Sequence, residues 1–215
     1  MERLLKQIEF IREIDKIKFI FRKTKLIGTN RNENDAEHRW HLAMMAIILA
    51  EHCNETVDLL KVIKMVLIHD IVEIDTGDIF IYDTTKNHTN TEEELKAARR
   101  IFGILPEDVA KELIALWEEF ESGQSAEARF AKALDKLEPL LQNAANEGGT
   151  WSEFGISYEK VYKNQSHISK SSDSLWEYAE QLLVCCVDAG ILKKEASLSS
   201  VQTSSTTNTT HLVEK

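Results

Sequence analysis

The stretch VLIHDIVEIDTGD, residues 66–78, places His69 and Asp70 side by side at the end of a long apolar run. The run starts at Leu59, and its apolar side chains cover most of the circumference of a helix that we predict for residues 59–74. A helix that is apolar nearly all round is a central, buried one. Because an unpaired buried carboxylate costs several kcal/mol, either other groups pair with His69 and Asp70, or this helix is less buried than its neighbours indicate.

The sequence on both sides of this helix predicts an all-α fold. Apolar residues recur at helical spacing, and the 215 residues include only two prolines and eight glycines, a composition that favours helices over a loop-rich β fold. The central helix is flanked by predicted helices at 2–20, 35–52 (with Asp35 as its N-cap), 91–102, 106–121, 125–146, 157–168 and 173–188, and by predicted loops at 22–35 and 75–90.

We predict a single domain over residues 1–192. The remaining residues, 193–215, are rich in serine and threonine and contain few apolar side chains. Such a segment has too little apolar surface to bury to offset the entropy of ordering it. We therefore expect residues 193–215 to form a disordered tail.

Composition excludes several classes of function. A net charge of −10 makes binding to a nucleic-acid backbone unsuitable as the main function. The first residues lack the pattern of a signal peptide, and no apolar run approaches the roughly 18 residues of a membrane span. The three cysteines, Cys53, Cys185 and Cys186, are odd in number and form no CxxC pair, which fits a reducing compartment. We therefore expect a cytoplasmic protein with neither a nucleic-acid nor a membrane partner.

Four residues on three predicted helices are candidates for a metal site. His38 lies early in the second helix, His69 and Asp70 lie in the central helix, and Asp135 lies close to the apolar stripe of a later helix. Two imidazoles and two carboxylates suit manganese, cobalt, iron, zinc or magnesium, and a cation would compensate the buried charge of Asp70. The alternative stays open, because a buried histidine is more often a hydrogen-bonded core residue, and Asp135, beside Lys136, can be a solvated helix residue.

Three blocks of sequence resemble the HD-domain metal-dependent phosphohydrolases. They are NDAEHRWHLAMMA (34–46), LIHDIVEIDTGD (67–78) and KALDKLEP (132–139). The family is named for its His…His-Asp…Asp ligand set, and the resemblance covers roughly residues 5–165. The greatest likeness is to the small 5′-deoxynucleotidase-like members, which share the HD-x-x-E-x-x-x-G-D extension. The resemblance implies a helical bundle around one divalent metal ion held by His38, His69, Asp70 and Asp135.

The same resemblance implies that Glu73 and Asp78 act in catalysis. Glu73 follows His69 by four residues, so on a helix the two side chains share one face and Glu73 can approach the attacking water. Asp78 follows Gly77 in a turn at the exit of the helix. An ordinary exposed position for Glu73 and a turn role for Asp78 stay open as alternatives.

The predicted loop before the second helix is basic, and Arg22 and Arg31 are our candidates for binding a phosphate group. Arg22 comes first, because an arginine occupies a comparable place in the similar deoxynucleotidases. In those enzymes a tryptophan follows that arginine and helps to reject ribose, whereas Lys23 follows it here. This difference leaves the sugar preference open.

We expect a metal-dependent phosphohydrolase that removes the 5′-phosphate of small (deoxy)nucleoside monophosphates. Two alternatives stay open: another HD chemistry, such as hydrolysis of nucleotide diphosphates or cyclic nucleotides, and a non-catalytic binding protein with an HD fold. The last predicted helix carries apolar residues, among them Leu175, Leu183 and Val184. These residues belong either to the core or to the surface of a homodimer.

Overall fold

The computed structural model describes residues 1–85 and 91–195, and within them the chain is predominantly helical. The predicted all-α class is therefore confirmed. The elements are α1 (Glu2–Ile14), β1 (Phe21–Lys25), β2 (Asn32–Asn34), α2 (Asp35–Leu49), α3 (Leu59–Ile68), α4 (Glu73–Thr76), α5 (Thr91–Phe102), α6 (Glu107–Ser122), α7 (Ala126–Ala145), α8 (Gly149–Glu153), α9 (Tyr158–Gln165) and α10 (Asp173–Asp188). Short 3₁₀ helices occupy Asp15–Phe19, Ala50–His52, His69–Val72 and Ser166–Lys170.

The long helix α7 lies at the centre of the bundle, where it packs against α2, α3 and α6. It begins at Ser125, whose hydroxyl accepts a hydrogen bond from the N–H of Ala128 at 3.2 Å and so caps the helix. Of the four apolar residues predicted to face inward on this helix, Phe130, Leu134 and Leu137 are buried and Leu141 is only partly buried. Because α7 carries a continuous apolar stripe, the elements around it can bury their own apolar faces against one core.

The loop predicted before α2 contains an unpredicted hairpin, since β1 and β2 pair antiparallel there with Phe21 opposite Asn34. Both strands are short and polar, so they lack the alternating apolar pattern by which a strand is predicted. Gly28 turns the chain with a φ of +74°, a left-handed conformation that favours glycine. Asn146, at the end of α7, holds the turn: it accepts from the N–H of Gly28 at 2.9 Å and donates to the carbonyl of Lys25 at 3.0 Å.

The start of α2 differs from the prediction by one residue, with a consequence for the site. The N-cap is Asn34, not Asp35, because Asn34 forms a capping box with Glu37, in which each side chain accepts from the other residue's N–H. Asp35 is thereby the first helical residue, and its carboxylate is fully buried.

The central helix is also interrupted where the sequence predicts it to be continuous. α3 ends at Ile68, the chain then forms a 3₁₀ turn over His69–Val72, and the single turn α4 follows. Gly77 ends α4 with a φ of +73°. The prediction of one helix over residues 59–74 is therefore wrong beyond Ile68, and the break falls on the His-Asp pair.

Other differences lie away from this pair. α1 ends at Ile14 instead of residue 20, and the short helix α8 was not predicted. Of the apolar residues of α10, Leu175 and Leu183 are buried in the core, whereas Val184 is exposed. The tail predicted for residues 193–215 lies outside the described residues from residue 196 onward. Within the described part of the chain, the helices are too short or too polar to cross a bilayer.

Candidate metal centre

Side chains from α2, α7 and the 3₁₀ turn after α3 converge at one point. His38 Nε2 lies 3.0 Å from Asp135 Oδ1 and 3.9 Å from Asp70 Oδ2. His69 Nε2 lies 3.0 Å from Asp70 Oδ2 and 3.6 Å from Asp135 Oδ1. Both imidazoles are buried, while the two carboxylates retain some exposure. The structure therefore brings together all four residues that the sequence predicts as metal ligands.

The backbone around His69 is held by side chains from two neighbouring helices. The last carbonyl groups of a helix have no partner within it, and α3 ends directly before His69. Arg39 of α2 donates from Nη1 to the carbonyl of Leu67 at 2.9 Å, and Trp117 of α6 donates from Nε1 to the carbonyl of His69 at 3.1 Å. These two bonds allow the chain to change from an α-helix to a 3₁₀ turn in a buried position.

Both imidazole rings are oriented by an acceptor on their far side. His69 Nδ1 lies 3.0 Å from the carbonyl of Val66, and His38 Nδ1 lies 3.3 Å from Glu138 Oε2. A proton on each Nδ1 leaves Nε2 free as a ligand atom, the usual arrangement around a protein-bound metal. His69 Nε2 is buried and makes no hydrogen bond. The donor set of two imidazole nitrogens and two carboxylates therefore fits a divalent cation.

The electrostatics of the cluster also favour a positive charge. Burial lowers the pKa of His69, but Asp70 and Asp135 outweigh it and raise that pKa to about 9. Burial raises the pKa of Asp70, and His69 and Arg22 outweigh it and lower that pKa to about 2. The same carboxylates that favour a protonated imidazole would stabilise a bound cation.

A second group of carboxylates lies beside the first, around the guanidinium of Arg22. Oxygen atoms of Asp35, Glu73 and Asp78 all lie within 4.8 Å of one another. Arg22 Nη1 lies 3.3 Å from Asp70 Oδ2 and 4.0 Å from oxygens of both Asp35 and Asp78. Burial, reinforced by Asp70 and Asp35, raises the pKa of Glu73 well above its usual value. Burial likewise raises the pKa of Asp35, to about 6.

A cavity of about 190 Å³ opens beside the cluster, and its lining includes Arg22 and the carboxylates of Asp70, Glu73, Asp78 and Asp135. Its other walls include Lys23, Phe80, Tyr82, Lys136, Trp151 and Asn164. A molecule in this cavity would therefore be in reach of two of the metal-ligand candidates, Asp70 and Asp135, and of aromatic and polar side chains.

The predicted phosphate-binding residue Arg31 lies apart from both the metal-ligand candidates and the cavity. Its guanidinium forms two hydrogen bonds with the carboxylate of Glu37, at 2.8 and 2.9 Å, on the protein surface. Arg31 is absent from the residues that line the cavity. Its predicted role in phosphate binding stays a prediction.

Three buried carboxylates at or beside the site were not singled out from the sequence, namely Glu33, Asp35 and Glu138. Asp35 precedes His38 by three residues, and Glu138 follows Asp135 by three. On a helix this spacing brings two side chains to the same face, so the signal was present in the sequence. It was hidden because Asp35 suits an N-cap and Glu138 lies in a charged segment next to Pro139.

Comparison with known families and proteins agrees with this geometry. A family profile described as the HD domain matches residues 14–176. Among curated proteins, the chain is similar to the 5′-deoxynucleotidase HDDC2 of Bos taurus, with 33% identity over 137 residues, 63% of this chain and 65% of the bovine protein. The corresponding human protein is 32% identical over 136 residues. The chain thus spans just under two thirds of the length of these relatives.

Two solved structures resemble the fold. A predicted metal-dependent phosphohydrolase from Magnetospirillum magnetotacticum MS-1 has 49% sequence identity and a TM-score of 0.85, over 89% of this chain and 96% of that one. The PH0347 protein from Pyrococcus horikoshii OT3 has a TM-score of 0.62 at 23% identity, over 81% of this chain and 99% of that one. At that identity the second likeness concerns the fold alone.

Proposed function

We propose that this chain, which belongs to the HD domain family, is a metal-dependent phosphohydrolase of small nucleotides. The proposed reaction is hydrolysis of the 5′-phosphate of (deoxy)nucleoside monophosphates. The names of the bovine and human relatives, both 5′-deoxynucleotidases, support this substrate class. The description of the Magnetospirillum protein supports the metal dependence.

One observation carries the proposal. His38 and His69 direct Nε2 towards Asp70 and Asp135 at the edge of a cavity, and His69 Nε2 is buried without a hydrogen-bond partner. We propose these four residues as ligands of one divalent cation, such as manganese, cobalt, magnesium, iron or zinc. When bound, the cation polarises the phosphate and lowers the pKa of a water.

Arg22 is the proposed phosphate-binding residue. A phosphate entering the cavity meets several carboxylates, which repel it, and Arg22 is the guanidinium among them. A guanidinium can donate two parallel hydrogen bonds to phosphate oxygens. Arg22 would thereby offset the repulsion and fix the orientation of the phosphorus atom.

Glu73 and Asp78 are proposed to orient the attacking water and accept its proton. Both line the same cavity as Asp70, and burial raises the pKa of each above the usual value of a carboxylic acid. A general base is most effective when its pKa lies near the working pH. These two residues therefore fit proton transfer better than an exposed carboxylate would.

The aromatic and polar part of the cavity lining is the proposed site of the nucleoside. Phe80, Tyr82 and Trp151 offer aromatic surface, and Lys136 and Asn164 offer polar groups. Lys23 also lines the cavity, at the position where the similar deoxynucleotidases have a tryptophan. Because of this difference we propose that both ribose and deoxyribose nucleotides are accepted.

The proposed partners and location follow from charge and cysteine usage. The net charge of −10 favours a small nucleotide over a nucleic acid as the ligand. The free cysteines Cys53, Cys185 and Cys186 support a reducing, cytoplasmic location. A homodimer is the proposed assembly.

The test is a phosphate-release screen of ribo- and deoxyribonucleoside monophosphates with added manganese, cobalt or magnesium. We expect turnover by the wild type and none by Asp70→Ala, because this substitution removes a proposed ligand. The exposed Asp188→Ala on α10 is the matched control and should retain wild-type activity. Activity that survives in Asp70→Ala, or a wild type that turns over no monophosphate with any of the three metals, would contradict the proposal.

A further inference from the structure

A second cavity, of about 320 Å³, is lined by the end of α6 and the residues after it, by α7 and by the 3₁₀ helix Ser166–Lys170. Its volume lies at the lower end of the range of small-molecule sites, about 300–1,000 Å³. The basic residues in its lining are Arg129, Lys132, Lys136, His167 and Lys170. In a chain with a net charge of −10, this cavity is a local concentration of positive charge. It is called the basic cavity below.

The basic side chains come from one face of each of two packed elements. On α7, Arg129, Lys132 and Lys136 follow one another at spacings of three and four residues, which brings them to the same face of the helix. On the 3₁₀ helix, His167 and Lys170 are three residues apart, one full turn of such a helix. The two elements pack against each other. Because like charges at such short range destabilise a fold, a basic lining of this kind indicates a functional site.

The two cations nearest the start of α7 are held in place by other side chains. Arg129 forms an ion pair with Glu55, which is absent from the lining of the cavity. Lys132 Nζ lies 3.6 Å from Glu121 Oε2 and 4.5 Å from the centre of the Phe120 ring. These contacts restrict both side chains before any ligand arrives, which lowers the entropic cost of binding.

Lys136 and Lys170 carry charge that no carboxylate of the described residues pairs with. Lys136 Nζ donates to the neutral amide oxygen Oδ1 of Asn164 at 3.0 Å. Lys170 forms neither an ion pair nor a hydrogen bond within residues 1–85 and 91–195. Burial lowers the pKa of His167, and Lys136 and Lys170 lower it further. Both lysines therefore lie close enough to His167 to oppose its protonation.

Two unpaired ammonium groups at one cavity match the charge of a phosphate group. A phosphate monoester carries about −1.5 to −2 charges at pH 7, and lysine binds phosphate as a point charge. Among the described residues of the lining there is no tryptophan, tyrosine or phenylalanine, so a nucleobase has no such ring to stack on. The neutral side chains of Ser122 and Gln124 also line the cavity and suit the hydroxyl groups of a sugar.

We propose that the basic cavity is a second anion site, which binds a phosphate group through Lys136 and Lys170, with Lys132 and Arg129 adding to its positive charge. The site is separate from the candidate metal centre. Lys136 is the one described residue that lines both cavities, and the four metal-ligand candidates are absent from the lining of the basic cavity. The proposal does not rest on the proposed catalytic function.

The first experiment measures the binding of inorganic phosphate to chelator-treated protein by isothermal titration calorimetry. Without a cation the carboxylates of the candidate metal centre repel an anion, so the basic cavity should be the one site that binds. Lys170→Glu should raise the dissociation constant at least about 10-fold, because an attraction becomes a repulsion. Lys6→Glu, at an exposed lysine on α1, makes the same change in net charge. It should leave the dissociation constant within about twofold of the wild type, since distant exposed charges are screened.

Two further titrations locate the anion and identify its source. Arg22→Met removes the guanidinium of the candidate metal centre and should retain wild-type affinity for phosphate. Ribose 5-phosphate that binds more tightly than inorganic phosphate would support the site with a phosphorylated sugar as its ligand, and equal or weaker binding would support it with free phosphate. A wild type that binds neither probe, equal effects of Lys170→Glu and Lys6→Glu, or loss of binding in Arg22→Met would overturn the proposal.

The second experiment follows the pKa of His167 by NMR and does not depend on weakening the site. A bound anion offsets the charges of Lys136 and Lys170, so saturating phosphate should raise the pKa of His167. The signal that is missing from His167→Gln assigns this residue, and the exposed His52 is the internal control, whose pKa should not change. An unchanged pKa of His167 at saturation, or equal shifts at both histidines, would overturn the proposed location. Circular dichroism of each variant verifies that it is folded.

Discussion

Glu138 shows how a buried residue can act on the candidate metal centre without touching the cation. Burial raises its pKa, but hydrogen bonds from His38 and His41 outweigh burial and lower that pKa to about 2. Gln142 also donates to this carboxylate. Glu138 is therefore an anion that fixes the ring of His38 and directs its Nε2 towards Asp135.

Glu138→Gln should weaken metal binding while the four proposed ligands remain in place. Loss of such an orienting carboxylate typically costs about 10–100-fold in metal affinity, and we expect a loss in this range for manganese by isothermal titration calorimetry. The same substitution at the exposed Glu9 on α1 is the control. Wild-type affinity in Glu138→Gln would mean that His38 is oriented by other contacts.

Metal affinity should also depend on pH through His69. Its pKa is raised to about 9, so below that pH the imidazole carries a second proton and is positively charged. A cation must displace this second proton in order to bind. As the pH rises from 7 to 9 the proton leaves, and the apparent affinity for manganese should rise and then level off above pH 9. His52→Ala, at an exposed histidine, should give the same profile. An affinity that is flat or falls over this range would contradict a competition at His69.

At the scale of elements, the end of α3 is stabilised by Arg39, which is only 6% exposed. Its Nε donates to the carbonyl of Asp35 at 3.1 Å and its Nη1 to the carbonyl of Leu67 at 2.9 Å. One side chain therefore joins the first turn of α2 to the last turn of α3, directly before His69. The position of His69 therefore depends on these two hydrogen bonds of Arg39.

Arg39→Met keeps the length of the side chain but removes both donors. Hydrogen bonds from charged groups contribute about 1.5–3 kcal/mol each, and a buried acceptor left alone costs about 1–3 kcal/mol. We expect the free energy of unfolding in urea to fall by about 2–3 kcal/mol. Arg99→Met, at an exposed position on α5, should change it by less than about 0.5 kcal/mol. Equal effects of the two substitutions would show that the Arg39 hydrogen bonds between α2 and α3 contribute little to the free energy of unfolding.

The same elements explain which parts of the fold could be predicted. The apolar stripe of α7 and the start of this helix at Ser125 are local signals, and both were predicted from the sequence. The break after Ile68 was not, because the donors that satisfy its carbonyl groups, Arg39 and Trp117, are about 30 and 50 residues away along the chain. The hairpin before α2 depends in the same way on Asn146, so its short polar strands carry no local signal.

At the scale of the whole molecule, the candidate site contains several carboxylates close together, and nearby basic side chains neutralise only part of their negative charge. Asp35, Asp70, Glu73, Asp78 and Asp135 belong to the two carboxylate groups at the site. The guanidinium of Arg22 lies among them. The sequence could predict His38, His69, Asp70 and Asp135 from family motifs, but not that Asp35 would join them, since its burial results from the packing of α2. A divalent cation would offset part of this charge and should therefore stabilise the folded chain.

Thermal unfolding with and without metal measures this stabilisation. A cation at about 100 times its dissociation constant adds about 2.7 kcal/mol if it binds only the folded state. In a chain of this size 1 kcal/mol shifts Tm by about 2–4 °C, so manganese added to chelator-treated protein should raise Tm by about 5–10 °C. His69→Ala should show little or no shift, whatever its own starting Tm, because the comparison is made within each variant. A shift of wild-type size in His69→Ala would locate the stabilising cation away from His69, and the proposed ligand set would then be wrong.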